Sequence, residues 1–160
     1  MLVFKSKRFG DVPVASDGAY VTRKVAVGAQ SIPRSLFLGM ELDQATLDRA
    51  ASLVDTLDIL DAHAREAIEA NTSEVPSYVL FHLEELDEGA VQTLFGAPRA
   101  SIDRATFLAR LDLVGVSVHA RSPEGFSLVL DYSPGREHTD QLLAVRFDTQ
   151  GRAVAVSHES

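Results

Sequence analysis

The chain has 160 residues, 15 Lys and Arg against 23 Asp and Glu, a formal net charge of −8 and no Cys. That length suits one domain, residues 1–160, with a core of its own, and the missing Cys excludes disulfides, thiolate nucleophiles and Cys-ligated metal sites. The acidic balance argues against general nucleic-acid binding, no apolar run approaches the roughly 20 residues of a membrane span, and the start, MLVFKSKRFGD, lacks the apolar core of a signal peptide, so a cytoplasmic protein is expected.

The first forty residues read as strands. Leu2-Val3-Phe4, Tyr20 to Val27 and Arg34 to Leu38 are short apolar or β-branched runs, punctuated by Gly10, Gly18, Gly28 and Gly39. Pro13 and Pro33 cannot donate a ladder hydrogen bond, which places them at sheet edges or strand starts. A meander of three or four antiparallel strands is expected.

Residues 43–70 read as helix. Asp43 is the candidate N-cap. Leu47, Ala50, Val54, Leu57, Leu60, Ala64 and Ile68 recur at spacings of three and four. The segment is long for a globular helix, and a break is expected near Asp58–Ala62. A second helix is expected over 76–87, with Pro76 in its first turn. Val79, Leu80, Leu83 and Leu86 would be its buried side and Gly89 its stop. A third helical piece falls in 101–111, capped by Ser101 or Asp103, with Phe107, Leu108 and Leu111 facing the core.

Four strands follow: Leu113 to Ala120, Phe126 to Tyr132, Leu142 to Phe147 and Ala153 to His158. Turns at Ser122–Gly125 and Asp148–Gly151 link two pairs as hairpins. The order of strands, helices and strands indicates an α+β domain. Antiparallel sheet from the N- and C-terminal strands would pack against two or three central helices. The last strand would be an edge, open to pairing with a second copy of the chain.

Leu142-Leu143 entering an apolar strand, Phe147-Asp148 before a Gly turn, and the terminal Glu159-Ser160 resemble the closing hairpin of a bacterial family. This is the domain-of-unknown-function family numbered two thousand and four. RSLFLGMELD, residues 34–43, resembles the same family's passage from strand to acidic helix. The resemblance implies an uncharacterised bacterial cytoplasmic protein and transfers no catalytic residues.

Phosphate-binding glycine loops, the G-x-S-x-G elbow and H-E-x-x-H are all missing. Scattered residues could still build a site. His138 and Asp140 form a His-x-Asp pair in a polar loop, and His82 and Glu85 lie three apart on a helix. Either pair would suit a small enzyme or a metal-binding protein. His63 and Glu66 repeat the second spacing. His119 and His158 are expected to point outward from strands or to be hydrogen-bonded in the core.

The charge is uneven. Residues 1–40 carry six basic and two acidic residues, residues 41–90 two basic and thirteen acidic, and residues 91–160 seven basic and eight acidic. On an ideal wheel for a single first helix, Asp48, Asp55, Asp58, Glu66 and Glu69 cluster in one sector beside Ile59. Glu84, Glu85, Asp87 and Glu88 extend the acidity into the second helix. A solubilising surface would look similar. Yet only Arg49 and Arg65 relieve the thirteen acids, and like charges at i,i+4 repel. An apolar residue among carboxylates suits an interface anchor.

The expected function is therefore non-catalytic. The acidic helical region would bind a basic protein partner, in an immunity-like or regulatory role. The candidate partner-binding residues are Asp48, Asp55, Asp58, Ile59, Glu66, Glu69, Glu84, Glu85 and Glu88. No cofactor, metal, nucleic acid or membrane enters this reading.

Overall fold

The computed structural model describes residues 1–121 and 125–160. Ser122, Pro123 and Glu124 of the expected turn lie outside them. Eight strands and five helices are present among the described residues, in an α+β arrangement.

Strands β1 (Leu2–Ser6) and β2 (Gly10–Val14) form a separate antiparallel pair. Strands β3 (Ala19–Val27) and β4 (Gln30–Leu38) form a hairpin. After the helices come β5 (Asp112–Ala120), β6 (Phe126–Ser133), β7 (Leu142–Phe147) and β8 (Ala153–Glu159). The main sheet runs β3-β4-β5-β6-β7-β8. Every neighbouring pair is antiparallel except β4 and β5, which run parallel from Ser35 opposite Gly115 to Leu38 opposite Val118. The expected N-terminal meander is thus divided, one hairpin standing alone and the other joining the C-terminal strands. Pro33 sits where β4 pairs with β3 alone, before β5 joins at Ser35, so its missing N–H leaves no gap in the β4–β5 ladder. β8 is an outer strand of the sheet.

The long helical segment is broken, but earlier than the periodicity suggests. Helix α1 (Gln44–Val54) ends at Asp55, and α2 (Leu57–Ala70) begins after Thr56. Asp43 caps α1 by accepting from the Thr46 N–H at 2.8 Å. Helix α3 (Glu74–Glu85) carries Pro76 in its first turn. Its buried residues are Val75, Tyr78, Val79 and His82, whereas Leu80 is 57% exposed. Gly89 does not stop this helix. It lies inside α4 (Glu88–Phe95), which Asp87 caps through the Ala90 N–H and which Gly96 closes in a left-handed conformation. Helix α5 (Arg104–Ala109) is capped by Asp103 and buries Phe107.

One hydrophobic core joins these elements. Val25, Leu36, Leu38, Val116, Val118, Leu128, Leu130, Leu143, Val145 and Phe147 point to one face of the sheet. There they meet Leu47, Val54, Leu57, Leu60, Ala64 and Ile68 of α1 and α2. Full burial of each large aliphatic side chain contributes about 1.5–3 kcal/mol before entropic offsets. The alternate residues of the strands face the other way. Tyr20, Thr22 and Lys24 of β3, Phe37 of β4 and His119 of β5 are exposed there. The helices therefore cover one face of the main sheet and leave the other open.

Candidate functional site

The helical acids divide into two groups. Asp55 accepts the Lys7 N–H at 2.7 Å, which fixes the β1–β2 turn to the end of α1. Asp58 accepts the Gly28 N–H of the β3–β4 turn at 2.8 Å and pairs with Arg8 at 3.2 Å. These hydrogen bonds hold its carboxyl below the usual range, the Gly28 N–H contributing most. Asp61 accepts the Tyr132 hydroxyl at 2.6 Å and pairs with Arg65 at 3.2 Å, with the Arg65 guanidinium 5.2 Å over the Tyr132 ring. Asp48 accepts from the Gln44 amide at 2.7 Å, and the same amide donates to the Val3 carbonyl. Glu88 pairs with Arg99 at 3.5 Å. With Asp43 and Asp87 as caps, much of the acidity holds the fold together.

Glu66, Glu69, Glu84 and Glu85 are exposed, and their carboxylates make no hydrogen bond or ion pair among the described residues. The expected single wheel does not survive the break at Asp55–Thr56, so Asp48 and Asp55 leave the acidic sector. On α2 alone, Ile59, Ala62 and Glu66 form the outer ridge, with Asp58 and Glu69 on one flank and His63 on the other. Ile59 is 57% exposed. Glu69 also borders a cleft of about 430 Å³ between α2 and α5, lined by Arg65, Ile68, Arg104 and Leu108. The Arg104 guanidinium there donates to the carbonyls of Ile68, Glu69 and Asn71 at 2.9–3.1 Å. It is thereby committed to closing the C-terminus of α2.

The structure does not bring His82 and Glu85 together as a ligand pair. His82 is fully buried, and Glu85 is exposed. His82 Nδ1 lies 2.8 Å from the Tyr78 carbonyl, and Nε2 lies 3.0 Å from the Thr139 hydroxyl. A carbonyl only accepts, so Nδ1 carries the proton and Nε2 accepts from Thr139. Burial lowers the His82 pKa, and His158 lowers it further. Both ring nitrogens are thus occupied, Nδ1 within α3 and Nε2 in holding the β6–β7 loop. Tyr78 adds to the same anchor, donating its hydroxyl to the Gln141 carbonyl at 2.8 Å. His158 faces this cluster, 2.8 Å from Gln141 Oε1. His138 and Asp140 are exposed in the loop, where Asp140 accepts from the Gln141 amide at 3.0 Å. No group of three or more potential metal ligands occurs among the described residues.

A groove of about 320 Å³ lies on the open face of the sheet, lined by Ser117, His119, Val129, Asp131, Ala144, Arg146, Ala155, Ser157 and Glu159. The strand register places these side chains together. Ser117, Val129, Arg146 and Ala155 form one cross-strand row, and Asp131, Ala144 and Ser157 form the next. Asp131 and Arg146 are diagonal neighbours, about 7 Å apart at the backbone. Neither forms an ion pair among the described residues. Burial pushes the Asp131 carboxyl up to about 6, with Glu159 adding to the rise and Arg136 opposing it. Ser157 donates to Glu159 Oε1 at 2.8 Å, which draws that carboxylate along the groove wall. His119 lies 3.1 Å from the Ser117 hydroxyl, and its ring centroid is 5.5 Å from that of Phe37.

Sequence reasoning missed this groove. The available signal was an Asp at the outward position of the apolar strand FSLVLDYS, together with small residues at outward positions of neighbouring strands. The chain was compared with protein-family models, curated proteins and solved structures, and none matched.

Proposed function

We propose that this domain is a non-catalytic binding module that captures a basic protein partner on the outer ridge of α2, in an immunity-like or regulatory role. The observation that carries the proposal is Ile59, 57% exposed on a convex helix with Glu66 about two turns along the same ridge. An isolated exposed isoleucine is unremarkable in itself. Its setting gives it meaning, because carboxylates around an apolar anchor provide both steering charge and a desolvated centre.

The internal bonds of Asp55 and Asp58 narrow the contact surface. Ile59, Glu66 and Glu69 form its centre, and Asp58 keeps its negative charge at the border. Asp48, Glu84, Glu85 and Glu88 serve long-range attraction. Such attraction weakens as salt shortens the Debye length from about 10 Å at 0.1 M to about 3 Å at 1 M.

Leu80, also 57% exposed but on α3 with Glu84 one turn on, tests whether the contact is confined to the α2 ridge. A photo-crosslinking residue placed at position 59 should give a discrete adduct with a basic protein in the native cell. The same residue at position 80 should not. Equal adduct patterns at both positions would defeat the proposal.

A further inference from the structure

We infer that the groove on the open face of the main sheet binds a small zwitterion of α-amino-acid class, with its ammonium toward Asp131 and its carboxylate toward Arg146. The site is separate from the α2 ridge and does not depend on the reading given to that ridge.

Asp131 presents an electrostatic demand to the groove. It is largely withdrawn from water, and Arg136 offsets its charge only in part and without a bonded contact among the described residues. No side-chain nitrogen or oxygen among the described residues is both fully buried and unpartnered. The Asp131 oxygens therefore still open onto the groove. Glu159, held over Ser157, adds a second negative charge to the same wall. An ammonium placed between them would relieve the desolvated carboxylate and the like-charge repulsion together.

Arg146 brings a positive charge to the same groove. A ligand carrying only positive charge would meet this guanidinium in the same groove. Diagonal positions of adjacent strands lie within reach of long side chains, and Asp131 and Arg146 form no ion pair with each other among the described residues. A ligand bearing an ammonium and a carboxylate a few ångströms apart fills the gap between them and satisfies both. Arg146 can hold the carboxylate through two N–H donors.

The shape of the groove also suits a small ligand. Ala144, Ala155, Ser117 and Ser157 are small, so the floor leaves room for a ligand backbone. A volume of about 320 Å³ lies at the small end of ligand sites. His119 lines the groove with ring surface that can receive a side chain, and its ring lies against that of Phe37.

The test is calorimetric titration of the intact protein, in an amine-free buffer, with the free α-amino acids, their methyl esters and their N-acetyl derivatives. The methyl ester lacks the carboxylate charge, and the acetyl form lacks the ammonium. At least one free amino acid should bind with a Kd of about 1 mM or tighter. Its ester and its acetyl form should each bind at least tenfold more weakly. In Arg146→Gln the penalty for esterification should disappear, and in Asp131→Asn the penalty for acetylation should disappear. No binding of any free amino acid at about 10 mM would overturn the inference. Equal binding of acid and ester would also overturn it, by showing a site for cations alone. The comparison among ligands needs no variant, so a misfolded variant would not shelter the inference.

Discussion

Replacing Asp131 with Asn gives a stability effect whose sign depends on pH. Burial pushes the Asp131 carboxyl up to about 6, from about 4 in an unfolded chain. Between these values the folded protein binds more protons than the unfolded one. Stability therefore falls as pH rises through that window, and the full cost of the charge is present above about pH 6. Two pH units at about 1.4 kcal/mol each give nearly 3 kcal/mol. The Asn amide carries no charge but still loses hydration, which takes back about 1 kcal/mol. Asp131→Asn should thus be about 2 kcal/mol more stable than wild type at pH 7.5 and no more stable at pH 4. The assay is urea unfolding of both proteins at pH 4, 5, 6 and 7.5 in phosphate and acetate buffers. The carboxyls of Asp43, Asp58, Asp103 and Asp148 are all held low and have the opposite dependence. They are common to both proteins and cancel in the difference. A difference that stays constant across the series would refute a desolvated carboxylate at position 131.

Three further outcomes follow from the same geometry. Gly18 has φ +100 and would place a Cβ 2.2 Å from the Leu38 carbonyl oxygen, whereas Gly28, at φ +60, has nothing within 4 Å; in thermal unfolding Gly18→Ala should cost at least about 2 kcal/mol and Gly28→Ala only about 1 kcal/mol. Because burial lowers the His82 pKa, the folded state takes up fewer protons there, and stability should fall as pH drops below about 6.5; long-range proton–nitrogen spectra at pH 7.5 should show a neutral ring protonated at Nδ1, and a ring protonated at Nε2 would contradict the bonding to Tyr78 and Thr139. Asp58→Ala should destabilise by about 0.5–1 kcal/mol through loss of its surface bonds to the Gly28 N–H and Arg8, a shift that urea unfolding would detect and that disqualifies this variant as a clean probe of partner binding.

Local chemistry was legible in the sequence where the determining residues lie close together. Asp43 and Asp103 act as caps through amides three residues on, and the strand runs needed only period-two alternation. The α3–α4 junction was misread because Gly89 looked like a terminator. The deciding signals were Asp87 as a cap and Gly96 at the true end. On α3 the leucine pattern suggested a buried Leu80, but Tyr78 and His82 take the interior because distant groups, Gln141 and Thr139, satisfy their polar atoms. Distance explains the larger misses as well. Asp55 and Asp58 meet Lys7, Arg8 and Gly28 across sequence separations of 30 to 50 residues. No wheel drawn on one helix reveals that these acids are occupied. The groove needs the pairing of β5 through β8, which fixes which outward side chains share a row.

The central claim is that Ile59 and Glu66 form a docking ridge for a basic protein. Its most direct test is a paired affinity capture from native lysate, with wild type and Ile59→Ser/Glu66→Gln as baits, at 0.05 M and 0.5 M salt, read by quantitative mass spectrometry. Neither side chain makes a bond that the fold requires, so both baits should melt at the same temperature. The account predicts a basic protein enriched by wild type at low salt, reduced at high salt, and reduced at least tenfold by the double substitution. Enrichment of the same protein by both baits, or of none by either, would contradict it.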